Sequence, residues 1–438
     1  MEKHYYSQIE EEVYFEHLDN GLEVILIPKV NFYQTYALFT TKFGSIDQTF
    51  IPRGKKELIR MPDGIAHFLE HKLFEKETVD AFQLFGQMGA SSNAFTSFTR
   101  TGYEFSTTTQ LEENVTTLLD FVQDPYFTEK TIEKEKSIIE QEIQMYEDDP
   151  DWRVFLGLLE NLYPDQPIQI DIAGTVDSIQ EITKEMLYEN YDTFYHPSNM
   201  QLVIAGNMKV EELMTLIRDN QNEKSFSKAE PIQRVYPEED LTHFIPHQTI
   251  YLSVSKPKVL MGIRGTFGQV DRNQVNGVEI IKKRVAMSLL LDLLFGGTST
   301  NYLRLYDEGL IDGSFNYDYA YEDYFDYLTV GGDTKNPIEF SQIIKNILLQ
   351  AADSEELTGE HFKLVKKQTI GLLLQGLNSP DYIGNAFFDY YYKDATLFDL
   401  IPIVESVSLE DVQLIARQFM KKERLSTFYV LPQKETKE

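Results

Sequence analysis

Residues 63–74 of this 438-residue chain read DGIAHFLEHKLF, and this stretch decides how the surrounding fold is interpreted. An α-helix repeats about every 3.6 residues, so His67 and His71 project from one face about one turn apart. Glu70 lies beside them, and most of the other positions are apolar. Because buried polar groups need a partner or a purpose, the pattern predicts a buried helix that points two histidines and a glutamate into a cleft.

The order His-x-x-Glu-His is the reverse of the commoner His-Glu-x-x-His zinc motif. In the reversed motif the two histidines bind zinc and the glutamate activates the zinc-bound water. The alternative is a helix whose two histidines are hydrogen-bonded inside a core. A hydrolytic zinc site uses about three protein ligands and one open position, so a third ligand must be found. A carboxylate is the better candidate, because the other histidines lie near termini, turns or a polar segment: His4, His17, His196, His243, His247 and His361.

Composition limits the possible functions. The net charge of −30 and the pI near 4.6 argue against binding to a nucleic acid backbone, and no basic patch is present. The chain has no cysteine, which excludes disulfides and thiolate ligands. The N-terminal residues lack the basic and apolar regions of a signal peptide, and no apolar run approaches the roughly 20 residues that cross a bilayer. We therefore expect a cytoplasmic protein without a membrane span.

Alternating and helical patterns predict an α+β fold. Short apolar runs within residues 12–45 and a Thr-, Phe- and Tyr-rich run at 91–109 predict strands. Helical periodicity predicts helices that include residues 78–88, 111–123, 128–146, 152–162 and 178–195. The order of strands and helices lacks the regular alternation of a parallel sheet, which is why we assign the α+β class.

The same order of elements recurs after a polar, proline-containing segment, which indicates two copies of one domain. We predict a zinc-binding catalytic domain over residues 1–222, a linker over 223–246, and a second homologous domain over 247–438. The second domain contains no His-x-x-Glu-His sequence.

Two stretches together resemble a known family. HFLEH at 67–71, followed by EKSIIEQEIQMY at 135–146, is similar to the zinc peptidases of the pitrilysin, insulysin and mitochondrial processing peptidase family. The resemblance implies Zn²⁺ bound by His67, His71 and Glu142, with Glu70 as the catalytic base and Glu135 supporting the site. Glu140 is the alternative third ligand. The implied architecture is two tandem domains, each an antiparallel sheet flanked by helices, forming half of a clamshell.

The resemblance also implies how substrate binds. SSNAFT at 91–96 is similar to the family's edge strand, which pairs with an extended peptide while its asparagine binds the substrate backbone. Asn93 and Ala94 are the implied substrate-binding residues. The alternative is an ordinary threonine-rich strand.

One stretch departs from the family pattern. Active sites of this family also receive an arginine and a tyrosine from the second half of the chain, but the corresponding residues 305–312, LYDEGLID, contain neither at the expected positions. Tyr302 and Arg304 lie nearby in a different register. We expect these groups to come from a paralogous partner subunit that lacks the zinc motif, in a heterodimer, although a homodimer is also possible.

The predicted function is therefore a zinc-dependent endopeptidase for short or unfolded peptides. Two alternatives stay open: a catalytically weak or non-catalytic subunit that acts in assembly or peptide binding, and a zinc-binding protein without chemistry. Glu70 argues against the last, because it is not needed for coordination.

Overall fold

A computed structural model describes residues 1–77, 80–238, 240–266 and 276–433. The chain forms two compact units, and each is discontinuous in sequence. Unit 1 contains residues 1–144, 170–237 and 376–389, and unit 2 contains residues 145–169, 238–375 and 390–438. Among the described residues, no helix combines the length and apolar character needed to cross a membrane.

The strands and helices have the following bounds. The strands are β1 (Glu2–Tyr6), β2 (Glu11–His17), β3 (Glu23–Pro28), β4 (Thr35–Thr41), β5 (Thr49–Ile51), β6 (Ile59–Arg60), β7 (Ser91–Thr96), β8 (Thr101–Thr107), β9 (Met200–Gly206), β10 (Gln233–Arg234), β11 (His247–Leu252), β12 (Lys258–Arg264), β13 (Asn316–Tyr321), β14 (Asp326–Asp333) and β15 (Leu425–Pro432). The α-helices are α1 (Ile65–Leu73), α2 (Ala81–Gln87), α3 (Leu111–Val122), α4 (Glu129–Asp148), α5 (Pro150–Leu162), α6 (Val176–Gln180), α7 (Lys184–Phe194), α8 (Val210–Asn222), α9 (Gly277–Phe295), α10 (Thr300–Asp307), α11 (Pro337–Leu349), α12 (Gly359–Gly376), α13 (Pro380–Asp389), α14 (Leu400–Ser406) and α15 (Leu409–Phe419). Short 3₁₀ helices cover Pro167–Gln169, Pro197–Asn199, Leu241–His243, Ala351–Asp353, Leu397–Asp399 and Lys422–Arg424.

The main sheet of unit 1 has seven strands in the order β1-β2-β3-β9-β4-β8-β7. Strands β4 and β9 are buried along their whole length, as expected for central strands rich in apolar residues. All neighbouring strands are antiparallel except β3 and β9, which are parallel. The sheet is therefore antiparallel, as predicted, except at this one parallel pair.

Unit 2 repeats this topology. Its sheet has the order β11-β15-β12-β14-β13, and the first and last of these strands in sequence, β11 and β15, are paired in parallel. The corresponding strands of unit 1, β3-β9-β4-β8-β7, follow the same order and directions. The two-copy α+β fold predicted from the sequence is confirmed.

A close backbone contact fixes the start of helix α1. Gly64, the residue before the helix, has a φ of 87°. Residues with a Cβ adopt this backbone conformation only at an energetic cost. A Cβ at this position would lie 2.3 Å from the carbonyl oxygen of Ala173. Ser178 adds a hydrogen bond from its hydroxyl to the carbonyl oxygen of Asp63, at 2.9 Å. The loop before helix α6 and that helix itself therefore set where α1 begins.

Some predicted elements differ from the observed ones. The single helix expected over 178–195 is two helices, α6 and α7, because Thr183 begins a new helix by accepting a hydrogen bond from the amide of Met186. The helix expected over 78–88 is observed as α2, and residues 78–79 lie outside the described residues.

The sequence-based domain boundaries and the compact units also divide the chain differently. Part of the segment expected as a linker belongs to unit 1, where β10 pairs with β5. Arg234 and Tyr236 in this segment bond the buried carboxylate of Asp47, at 2.8 and 2.7 Å. Helix α13, which lies within residues 247–438, packs on β4 and β9 of unit 1, where Gly384 allows the ring of Tyr36 to approach.

Candidate metal centre

Helix α1 presents two histidine rings side by side. The ring centroids of His67 and His71 lie 4.5 Å apart, as expected for residues four positions apart on a helix. His67 is 9% exposed, and His71 is partly exposed. Burial, together with the charge of His71, lowers the pKa of His67 to about 3, so this imidazole is neutral at physiological pH. Neutral imidazole is the form that binds metal ions.

Glu142 reaches both rings from helix α4. One carboxylate oxygen lies 3.6 Å from Nε2 of His67, and the other lies 3.6 Å from Nε2 of His71. The three side chains form a group whose potential ligand atoms all lie within 4.8 Å of one another. Two donors bound tetrahedrally to one zinc ion at about 2.0–2.1 Å are about 3.3 Å apart, close to the observed 3.6 Å. The donor set and its spacing therefore fit a zinc ion.

Glu135 bonds the other nitrogen of the His71 ring. Its carboxylate lies 3.1 Å from Nδ1 of His71. An ionised carboxylate only accepts hydrogen bonds, so Nδ1 carries a proton, and in the neutral ring the lone pair is on Nε2, the nitrogen that faces Glu142. Glu135 is two helical turns before Glu142, and these two glutamates contact opposite nitrogens of one ring.

The pKa values of His71 and Glu135 reflect the contact between these two side chains. Burial alone would lower the pKa of His71, but the hydrogen bond to Glu135 and the charges of Glu70, Glu135 and Glu142 outweigh it and raise the pKa. Burial would raise the pKa of Glu135, but the bond to His71 and the positive charges of His71 and Lys72 lower it overall. The ionised carboxylate of Glu135 is thereby favoured.

Glu70 lies on the same helix turn but outside this group. It is 8% exposed, and Oε2 accepts a hydrogen bond of 2.9 Å from the hydroxyl of Thr96 on β7. Burial is the main cause that raises the pKa of Glu70, and the charge of Glu142 acts in the same direction. A buried carboxylate with a raised pKa beside three potential metal ligands is suited to accept a proton during hydrolysis.

A buried lysine completes the polar surroundings of helix α1. The side chain of Lys72 is fully buried and forms an ion pair with Glu75. Its charge also helps to lower the pKa of Glu135. A buried lysine needs such partners, because an unpaired charge is costly in the protein interior.

Asn93 and Ala94 lie on β7, which is the last strand in the order of its sheet and pairs with β8. Ser97 donates its amide hydrogen to the carbonyl oxygen of Arg100 at 2.8 Å. Bonded and non-bonded pairs alternate along an antiparallel ladder, so this bond places the backbone groups of Ala94 and Thr96 on the side away from β8. The backbone of Asn93 faces β8, and its side chain is exposed.

The structure brings together four of the predicted site residues and leaves others apart. His67, His71 and Glu142 form the group of potential ligands, and Glu135 touches it. Glu140, the alternative ligand, is not in that group. The sequence interpretation missed the contacts of Thr96 and Lys72. Thr96 lies within the quoted strand 91–96, but no sequence signal indicates that its hydroxyl faces Glu70.

In unit 2, helix α10 contains Tyr302 and Arg304, the two residues that lie near the positions where the family pattern has an arginine and a tyrosine. The rings of Tyr302 and Tyr306 stack with their centroids 6.0 Å apart, and Tyr306 is 54% exposed. Arg304 is also exposed.

Comparisons with known proteins agree over nearly the whole chain. Residues 60–176 match the family model described as insulinase (peptidase family M16), and residues 181–369 match the model described as peptidase M16 inactive domain. A Bacillus subtilis protein named "Uncharacterized zinc protease YmfH" is 48% identical over 428 residues, covering 98% of both chains. A crystal structure titled as a putative M16-like peptidase from Alicyclobacillus acidocaldarius is 39% identical, with a TM-score of 0.90, and covers 97% of this chain and 99% of that one. A protease structure from Helicobacter pylori has the same fold at 18% identity, with a TM-score of 0.80 and coverage of 96% and 100%.

Proposed function

The chain belongs to the insulinase family of peptidases, family M16, and on this premise we propose that it is a zinc-dependent endopeptidase for short or unfolded peptides. The observation that supports the proposal most is the group formed by His67, His71 and Glu142, with Glu70 beside it. A protein that only bound zinc would not need the buried carboxylate of Glu70, which carries an energetic cost.

His67, His71 and Glu142 would hold the zinc ion. A bound zinc ion supplies Lewis-acid chemistry toward water and the peptide carbonyl. Glu70 takes a proton from the attacking water and passes it to the amine that leaves, since a carboxylate with a raised pKa can both accept and return a proton. Glu135 keeps the His71 ring in the tautomer that leaves Nε2 free to bind metal.

The substrate binds as an added strand along β7. The backbone groups of Ala94 lie on the open side of this strand, where an extended peptide can pair with them, and Asn93 contributes its exposed carboxamide. Backbone pairing accepts many sequences but requires an extended chain. This requirement supports peptides and unfolded segments as substrates, and efficient cleavage of a stable folded domain would contradict it.

A matched pair of variants tests the proposal. Glu70→Gln removes the base with little change in shape, and we expect peptide cleavage to fall by about 10²–10⁴-fold while the zinc content stays near one ion per chain. Glu140→Gln, which changes a carboxylate of helix α4 outside the ligand group, is the control and should retain both. Equal turnover by Glu70→Gln and wild type would refute the assigned base.

We also propose that full activity needs a paralogous partner subunit that lacks the zinc motif and supplies the arginine and tyrosine, neither of which stands at its expected position within residues 305–312. The experiment compares cleavage by the purified chain alone and mixed with such a partner. Full activity of the isolated chain refutes the need for a partner. Zinc binding without turnover in any pairing would instead favour a non-catalytic subunit that acts in assembly or peptide binding.

A further inference from the structure

Thr96 connects two parts of the site that have separate functions. Its hydroxyl donates a hydrogen bond of 2.9 Å to Oε2 of Glu70, the buried carboxylate on helix α1. Its backbone belongs to β7, the strand that ends the sheet. One residue therefore joins the strand proposed to bind substrate to the carboxylate proposed to act as base.

The direction of the Thr96 backbone follows from its neighbours. Thr96 on β7 pairs with Thr101 on β8. This pair lies one position before the hydrogen-bonded pair of Ser97 and Arg100. The alternation of an antiparallel ladder then places the amide and carbonyl of Thr96 on the open side of β7, as it does for Ala94. The Thr96 side chain meanwhile projects toward α1, which packs on β7.

The position of Glu70 depends on this bond. A glutamate side chain has several rotatable bonds, and a base must lie within about 2.6–3.2 Å of the proton that it removes. Hydrogen bonds from a neutral donor to an ionised acceptor are among the stronger ones in proteins. Thr96 is the side-chain donor to Glu70 that we identify among the described residues.

We propose that Thr96 is a positioning residue that holds Glu70 in place and links this placement to strand pairing with the substrate. The inference rests on the proposed function, because it assigns Glu70 as the base. A peptide that pairs along β7 would restrict the motion of Thr96 and, through its hydroxyl, that of Glu70.

Thr96→Val and Thr96→Ser test this role. Valine has nearly the shape of threonine but no hydroxyl, whereas serine retains the hydroxyl. We expect Thr96→Val to lower kcat about 10- to 100-fold with KM and zinc content near the wild-type values. Thr96→Ser should stay within a few-fold of wild type. Thr107→Val on β8, which removes a hydroxyl bonded to the carbonyl oxygen of Thr109, is the control and should leave kcat unchanged.

Crystal structures of the zinc-loaded wild type, Thr96→Val and Thr96→Ser give a measurement that does not require turnover. We expect one ordered position of the Glu70 carboxylate in wild type and in Thr96→Ser, and a displaced or multiple position in Thr96→Val. An unchanged Glu70 in Thr96→Val overturns the inference, as does a loss of activity in Thr96→Ser equal to that in Thr96→Val. If wild type cleaves no peptide in any pairing, the proposed function fails, while the position of Glu70 in the crystals still decides whether Thr96 holds it.

Discussion

The contact between Glu135 and His71 gives the sharpest quantitative prediction. Glu135 accepts a hydrogen bond from Nδ1 of His71 at 3.1 Å, which leaves Nε2 of the same ring facing Glu142. Glu135→Gln retains an acceptor but removes the charge, whereas Glu135→Ala removes both. Loss of a carboxylate that orients a histidine ligand weakens metal binding by about 10–100-fold, or about 1.4–2.7 kcal/mol. We expect Glu135→Gln near the lower limit and Glu135→Ala near the upper.

The assay is competition for zinc between the protein and a chromophoric chelator at constant pH and ionic strength. Glu140→Gln is the control, because Glu140 lies on the same helix but outside the ligand group. Glu142→Ala provides the other limit, since it removes a proposed ligand and should weaken binding more than either change at Glu135. The expected order of affinity is therefore wild type and Glu140→Gln, then Glu135→Gln, then Glu135→Ala, then Glu142→Ala.

Two results would refute this reasoning. Zinc affinity of Glu135→Ala within twofold of wild type would mean that the bond to Nδ1 does not influence the ligand. Zinc affinity that falls as far in Glu140→Gln as in Glu142→Ala would mean that the wrong carboxylate is assigned. Circular dichroism of each variant checks that the fold is retained.

Three further predictions concern stability. Removal of zinc by a chelator should lower the midpoint of thermal unfolding, because a ligand at about 1,000 times its Kd contributes about 4.1 kcal/mol; an unchanged midpoint would contradict a site in the folded core. Gly64→Ala should destabilise the protein in urea by about 2 kcal/mol or more, because its φ is 87° and the new Cβ would meet the Ala173 carbonyl, whereas Gly86→Ala, with open space around it, should not. Burial raises the pKa of Asp292 above its ordinary value of 3.8, although the hydrogen bond from Tyr317 acts in the opposite direction. Ionisation of Asp292 as the pH rises therefore destabilises the folded state. Asp292→Asn should accordingly be more stable than wild type at neutral pH, with a difference that disappears below pH 3.8 in urea titrations.

Local periodicity made the centre of the site predictable. The spacing of His67 and His71 fixes their relation on any α-helix, and the spacing of Glu135 and Glu142 does the same on another. Neither spacing says which acidic residue of the second helix faces the first. The resemblance to a family supplied Glu142, and the structure brings Glu142, rather than Glu140, to both histidine rings.

Contacts between distant segments could not be predicted in this way. The apolar run at 200–206 forms strand β9, but its parallel pairing with β3 depends on where the chain returns, and periodicity does not encode that. The packing of helix α13 could not be predicted either, because its sequence gives no sign that it packs on β4 and β9, strands more than 170 residues earlier. The same limit applies to Thr96, whose bond to Glu70 depends on the packing of a strand against a helix.

The charges of the site link metal binding to the base. Burial raises the pKa of Glu70 and the negative charge of Glu142 acts in the same direction, whereas the charge of His71 and the hydrogen bond from Thr96 lower it. A divalent cation held by His67, His71 and Glu142 would also lower this pKa, because it offsets the charge of Glu142 and attracts the ionised form of Glu70. In the proposed mechanism, the helix at 63–74 therefore does more than present two ligands and a base. It would place the base where its ionisation depends on the bound ion, so a change that weakens zinc binding should also lower the ionised fraction of Glu70.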